Sequence, residues 1–120
     1  MKVRFVKMHG AGNDFVMIDD RDGAFPAERT TLAALGARGT GIGCEGIILV
    51  QKSATADFRM RFFNPDGSEA EMCGNGARCV AAFAREIGAA PSDTMRFETI
   101  AGEVRAEIVG RNLVRIALPD

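Results

Sequence analysis

Gly74-Asn75-Gly76-Ala77-Arg78-Cys79-Val80-Ala81-Ala82-Phe83-Ala84-Arg85-Glu86-Ile87 decides how this chain folds. The run reads as a helix, and its residues Ala77, Val80, Ala81, Ala82, Phe83, Ala84 and Ile87 are small or apolar on nearly every side. A helix that is apolar almost all round has to be enclosed by other elements. What surrounds it in sequence is mostly strand-like, so the expected fold class is α+β: a curved, mostly antiparallel sheet wrapped around a central helix.

Downstream, Met95–Ile100, Val104–Val109 and Leu113–Leu118 read as three strands. Gly102 and the Gly110-Arg111-Asn112 turn separate them, as in an antiparallel meander. Upstream, Phe58, Met60 and Phe62 alternate with Arg59 and Arg61, the pattern of a half-buried strand. Asn64-Pro65-Asp66-Gly67 follows with turn chemistry, since Pro presets φ and Gly accepts a positive one. Ile47–Val50 is an apolar, β-branched run that predicts a buried strand. Farther back, Lys2–Lys7 predicts a first strand, Gly10–Asn13 a turn and Phe15–Ile18 a second strand. Pro26 is expected to open a helix through Leu32, Ala33 and Leu35 that Gly36 and Gly39 end.

The totals fit one domain spanning residues 1–120. The chain carries 47% hydrophobic and 26% charged residues, ordinary for a globular chain. A net charge of −1 gives no steering toward nucleic acid or an anionic membrane, and no basic run with interleaved aromatics is present. No apolar run reaches the ~20 residues that span a bilayer, and Met1–Lys7 does not read as a signal peptide. Three cysteines, an odd number, favour reduced thiols and a cytoplasmic location. Cys44, Cys73 and Cys79 form no Cys-x-x-Cys pair and His9 is the single histidine, so no metal site is expected.

Chemistry concentrates at the start of the central helix. Cys73 stands immediately before Gly74-Asn75-Gly76. A helix N-terminus can lower a thiol pKa below its usual ~8.5, and uncovered N–H groups of a first turn suit an anion such as a carboxylate. The plainer reading, a small buried hydrophobe, fits Cys79 on the helix body; for Cys73 the residues leave both readings open. Asn13, Asn64 and Asn75 fall at turns or helix starts. They serve as caps and turn formers, or as amides that bind an amino acid; the sequence leaves this open too. Gly10-Ala11-Gly12 and Gly39-Thr40-Gly41-Ile42-Gly43 precede strand-like runs and lack the lysine of a phosphate loop, so they read as rim turns.

Four ordered motifs carry a resemblance. They are Lys7-Met8-His9-Gly10-Ala11-Gly12-Asn13-Asp14-Phe15, Gly41-Ile42-Gly43, Phe63-Asn64-Pro65-Asp66-Gly67-Ser68-Glu69 and Cys73-Gly74-Asn75-Gly76-Ala77-Arg78. Together they resemble the N-terminal half of the bacterial diaminopimelate epimerase family. The resemblance implies a cofactor-independent isomerase of lysine and peptidoglycan-precursor biosynthesis that interconverts LL- and meso-2,6-diaminopimelate. It implies two similar domains, each a sheet around a helix, with Cys73 one of two catalytic thiols. Asn13, Asn64, Gly74 and Asn75 match substrate-contacting positions of the first half.

Family members commonly carry Ala-Asp-Gly or an aromatic-Asp-Gln where this chain has Cys44-Glu45-Gly46, so Gly46 is not a candidate ligand. Family enzymes are also roughly twice this long, as two domains require. The chain therefore reads as one half of an enzyme, inactive alone, with a boundary near Pro119-Asp120. Its expected partners are a small amino-acid substrate, a missing C-terminal domain or complementary chain, and a second copy in a homodimer; neither nucleic acid nor membrane is expected. Alternatives are another two-thiol racemase of the proline or hydroxyproline type, a non-catalytic binding domain, and a Cys–His acyl-transfer enzyme using His9.

Overall fold

A computed structural model describes residues 4–10, 12–71, 74–110 and 113–118. Among these, eight strands form one sheet. β1 (Val6–Gly10) and β2 (Asn13–Asp19) make a hairpin that closes where Gly10 pairs with Asn13. The chain crosses through α1 (Arg29–Gly36) to β3 (Gly46–Gln51), which lies parallel to β2. β4 (Phe58–Phe63) returns antiparallel and turns into the two-residue β5 (Glu69–Ala70). α2 (Gly74–Ile87) then carries the chain to β6 (Thr94–Thr99), which pairs parallel with the start of β4. β7 (Gly102–Gly110) and β8 (Leu113–Ala117) complete an antiparallel meander. The spatial order is β1-β2-β3-β4-β6-β7-β8, with β5 beside β4.

α2 touches β1 and β2 toward one edge of the sheet and β7 and β8 at the other. One helix meets both edges only if the sheet curls around it, as its all-round apolar composition requires. Seven α2 residues, Gly76, Ala77, Cys79, Val80, Ala81, Phe83 and Ala84, are buried. The predicted bounds Gly74–Ile87 hold, and Gly88 beyond them has φ 80°, the left-handed conformation that ends helices.

β2 and β3 are buried on both faces, which is why they read as unbroken apolar runs. Phe15, Met17, Ile48 and Val50 join Met60, Phe62, Val80 and Phe83 in the core around α2. The alternate residues Val16, Ile18, Ile47 and Leu49 pack with Leu32, Cys44 and Phe63 on the α1 side. The two helices thus cover opposite faces of this part of the sheet. Full burial of one such side chain is worth about 1.5–3 kcal/mol.

Two elements differ from expectation. The first strand is Val6–Gly10 rather than Lys2–Lys7; Lys2 and Val3 lie outside the described residues. Its position is set by cross-strand pairing, Lys7 with Val16 and Met8 with Phe15, and not by alternation within the segment. The first helix begins at Arg29, not Pro26. Phe25 donates its N–H to Asp20 Oδ1, and Phe25 and Ala27 pack into the α1-side core. Those contacts keep the chain extended through Glu28, at φ −95° and ψ 145°. Residues 111, 112, 119 and 120, which carry part of the expected last turn and the expected boundary, lie outside the described residues.

Candidate active site at one end of the sheet

Strand register brings distant segments to one end. Phe15 pairs with Gly46, Ile47 with Phe63, and Phe62 with Ala70. The starts of β2 and β3, the end of β4 and the short β5 therefore share one rim, each about 4.8 Å from its neighbour. Asn13 heads β2 there, and Asn64 follows β4 directly. Past Ala70 the chain reaches the helix start at Gly74 and Asn75. All four described candidate residues are thus brought to the same end.

Side-chain alternation assigns the face. Asn13 falls in phase with Phe15 and Met17, which belong to the core around α2. The Phe15 and Phe62 rings meet edge to face at 6.0 Å. A methyl group on Gly76 would lie 3.3 Å from the Phe62 ring and 3.5 Å from Ile48 Cδ1, so the first turn of α2 rests on those two side chains. A methyl on Gly46 would come within 2.7 Å of Phe62 Cζ. Glycine there makes room for the ring, and Gly46 is a packing residue.

Asn64 is held by its own turn and by α1. Its N–H donates to the Ser68 carbonyl at 2.8 Å, and its carbonyl accepts from Gly67 N–H at 2.9 Å. Gly67 has φ 89°, and a methyl there would lie 2.2 Å from the Arg29 carbonyl oxygen. A methyl on Gly36 would lie 2.5 Å from the Pro65 carbonyl oxygen. The turn is clamped against both ends of α1 at distances that only glycine permits. Asn64 Nδ2 donates to Ser68 Oγ at 3.1 Å, so this amide is partly committed to the turn. The half-buried side chains of Asn13 and Asn75 make no hydrogen bond to another described residue.

The electrostatics at this end differ by face. Behind Asn13, the Asp14 carboxylate is 3.1 Å from Lys7 Nζ and 3.0 Å from Arg38 Nη2, and accepts Glu45 N–H at 3.0 Å. Burial pushes its carboxyl up, but bonds and charge from Lys7 and Arg38 outweigh that and hold it at about 2. The nearby Cys44 thiol is pushed up, first by burial and then by the Asp14 charge, which keeps it neutral. At the helix start, the first turn of α2 carries no acidic residue. A methyl on Gly74 would lie 3.2 Å from Arg78 Nη1, so the exposed guanidinium folds back toward that turn. A cation beside a helix N-terminus leaves positive potential that an anion would neutralise.

Cys73 lies outside the described residues; Cys44 and Cys79 are both buried. The sequence reading assigned no role to Asp14, Lys7 or Arg38. The available signal was an acid at the head of an otherwise apolar strand, which demands cationic or donor partners. Gly39–Gly43 leads into β3 rather than a helix, as a turn segment does. An open groove of about 580 Å³ between α1 and this segment is lined by Thr30, Ala34, Leu35 and Ile42, and none of the candidate residues borders it. No helix among the described residues is long and apolar enough to cross a membrane.

The family model described as diaminopimelate epimerase matches residues 5–117. A diaminopimelate epimerase of Desulforudis audaxviator is 46% identical over 118 residues, covering 95% of this chain and 42% of that relative. One of Rhizorhabdus wittichii is 53% identical over 104 residues, covering 85% of this chain and 35% of that relative. The chain thus spans about two-fifths of the length of the curated relatives it matches. Among solved structures, a probable proline racemase from Agrobacterium radiobacter superimposes with a TM-score of 0.74 at 18% identity, covering 96% of this chain and 41% of that one. At that identity the likeness is one of fold.

Proposed function

Since the chain belongs to the diaminopimelate epimerase family, we propose that it is the N-terminal half of a cofactor-independent epimerase interconverting LL- and meso-2,6-diaminopimelate. The reading rests above all on one observation: Asn13 and Asn75, two amides without a hydrogen-bond partner among the described residues, share a rim with a helix start whose first turn carries no acidic residue. That rim suits an amino acid. The N–H groups at Gly74 and Asn75, with Arg78 nearby, take the α-carboxylate, and the amides take its remaining polar groups.

Cys73, the residue before the helix start, is the reacting thiol. As thiolate it removes the α-proton: the Cα–H bond breaks, S–H forms, and the electron pair delocalises into the carboxylate. Charge on that carboxylate grows as the proton leaves, so donors at the helix start stabilise the transition state more than the substrate. A second thiol, from the other half of the enzyme, delivers a proton to the opposite face and inverts the centre. In the reverse direction the two sulfurs exchange roles. Reduced thiols are needed throughout, and the cytoplasm supplies that condition.

One half cannot readily invert, because rigid placement of both groups supplies much of the rate. Exposed Phe5, Val6, Leu113 and Leu118, at or near the two edge strands, support a docking partner for this half. The 120-residue chain alone should give no detectable epimerisation of LL-diaminopimelate under reducing conditions. Supplying a second half should restore it, and Cys73→Ala should abolish it again. Robust inversion by the chain alone would refute the half-site reading; activity surviving Cys73→Ala would refute the role of that thiol.

A further inference from the structure

Asn13 stands at the head of β2, half-buried and paired with Gly10 of β1. Its side chain has no hydrogen bond to a described residue, and the preceding Gly12, at φ 88°, has open space where a side chain would point. No hydrogen bond to a described residue therefore fixes the amide. The next residue is different. Asp14 reaches three separate segments through one carboxylate: Lys7 on β1, Arg38 in the connection after α1, and Glu45 N–H just before β3. Glu45 N–H also donates to the Asp14 carbonyl at 2.8 Å, which ties the strand backbone itself into the same knot. By alternation the carboxylate's bonds lie on the face of β2 opposite Asn13.

We infer that Asp14, held by Lys7 and Arg38, is a positioning residue that fixes from behind where the Asn13 amide stands. Its bonds set the backbone at residue 14, and with it the direction in which the preceding side chain leaves the strand. The consequence for amino-acid binding rests on the function proposed above. Misplacement of a binding group by about 1 Å can cost on the order of 100-fold in rate.

The test uses 13C,15N-labelled 120-residue chain and the variants Asp14→Asn and Arg38→Gln. Arg38 is 60% exposed, so its replacement leaves the core intact even if Asp14→Asn perturbs folding. In both variants the Asn13 side-chain amide resonances should move toward solvent-exposed asparagine values and their heteronuclear NOE should fall. The Asn75 amide and the Met17 and Ile48 methyls should stay in place. Unchanged Asn13 resonances in both folded variants would overturn the assignment. A second arm measures kcat/KM for LL-diaminopimelate with the second half supplied, for Asp14→Asn, Asn13→Ala and the double variant. The double variant should lose no more than Asn13→Ala alone; losses that multiply would show that Asp14 does not act through Asn13. If the wild-type pair is inactive, the proposed function fails while the resonance comparison still decides the role of Asp14.

Discussion

Replacing Asp14 by Asn should destabilise the chain at neutral pH and cost almost nothing in acid. The folded state holds this carboxyl at about 2, against an ordinary 3.8. That displacement corresponds to at most roughly 2.5 kcal/mol. Lys7 and Arg38 are 33% and 60% exposed, so solvent screens the pairs and about 1–2 kcal/mol is expected. The sign follows from a depressed folded value. The contribution is fully present above the unfolded pKa and is lost as pH falls from about 4 through 2, leaving a few tenths of a kcal/mol at pH 2. Asparagine keeps an oxygen for Glu45 N–H, and the two freed cations return to water, so the variant removes chiefly the charge. Urea unfolding of both proteins at pH 7, 4, 3 and 2 isolates this group, because every other carboxylate titrates in both. The stability difference should shrink steadily below pH 4. A difference equal at pH 7 and pH 2 would show that shape or packing, not the ionised carboxylate, is responsible.

Gly36→Ala would drive a methyl to 2.5 Å from the Pro65 carbonyl oxygen. It should cost about 1–3 kcal/mol and shift the Asn64 backbone resonances, readable by thermal unfolding and amide spectra; an unchanged Tm would mean the turn yields freely. Cys73 should be alkylated ahead of the buried Cys44 and Cys79, as peptide mapping after brief iodoacetamide treatment would show. Faster reaction at Cys44 would contradict its neutral, enclosed thiol. Asn75→Ala should raise KM in the completed enzyme more than it lowers Tm; loss of Tm with KM intact would make Asn75 only a helix-start residue.

The sequence alone determined those features that depend on which neighbours surround a short segment. The bounds of α2, the buried β3, the half-exposed β4 and the final meander were all legible, because burial on one, two or all sides imprints a period on local sequence. The turn at Gly39–Gly43 is legible for the same local reason, whereas Gly10 and Asn13 belong to the paired strands β1 and β2 and Ala11 lies outside the described residues. Strand order was not legible. The parallel pairings of β2 with β3 and of β4 with β6 join segments separated by whole helices, and no local pattern encodes a partner that distant. The start of α1 departs from the helix signal of Pro26 because Asp20, accepting from Phe25 N–H, helps hold the chain extended up to Glu28. The site divides in the same way. Gly74 and Asn75 could be placed at a helix start from sequence, while the gathering of Asn13, Asn64 and that helix start at one end follows only from register. Neither the commitment of Asn64 to Ser68 nor the knot of Lys7, Asp14, Arg38 and Glu45 has a sequence period. Both are contacts between particular atoms, and only the folded chain brings those atoms within reach.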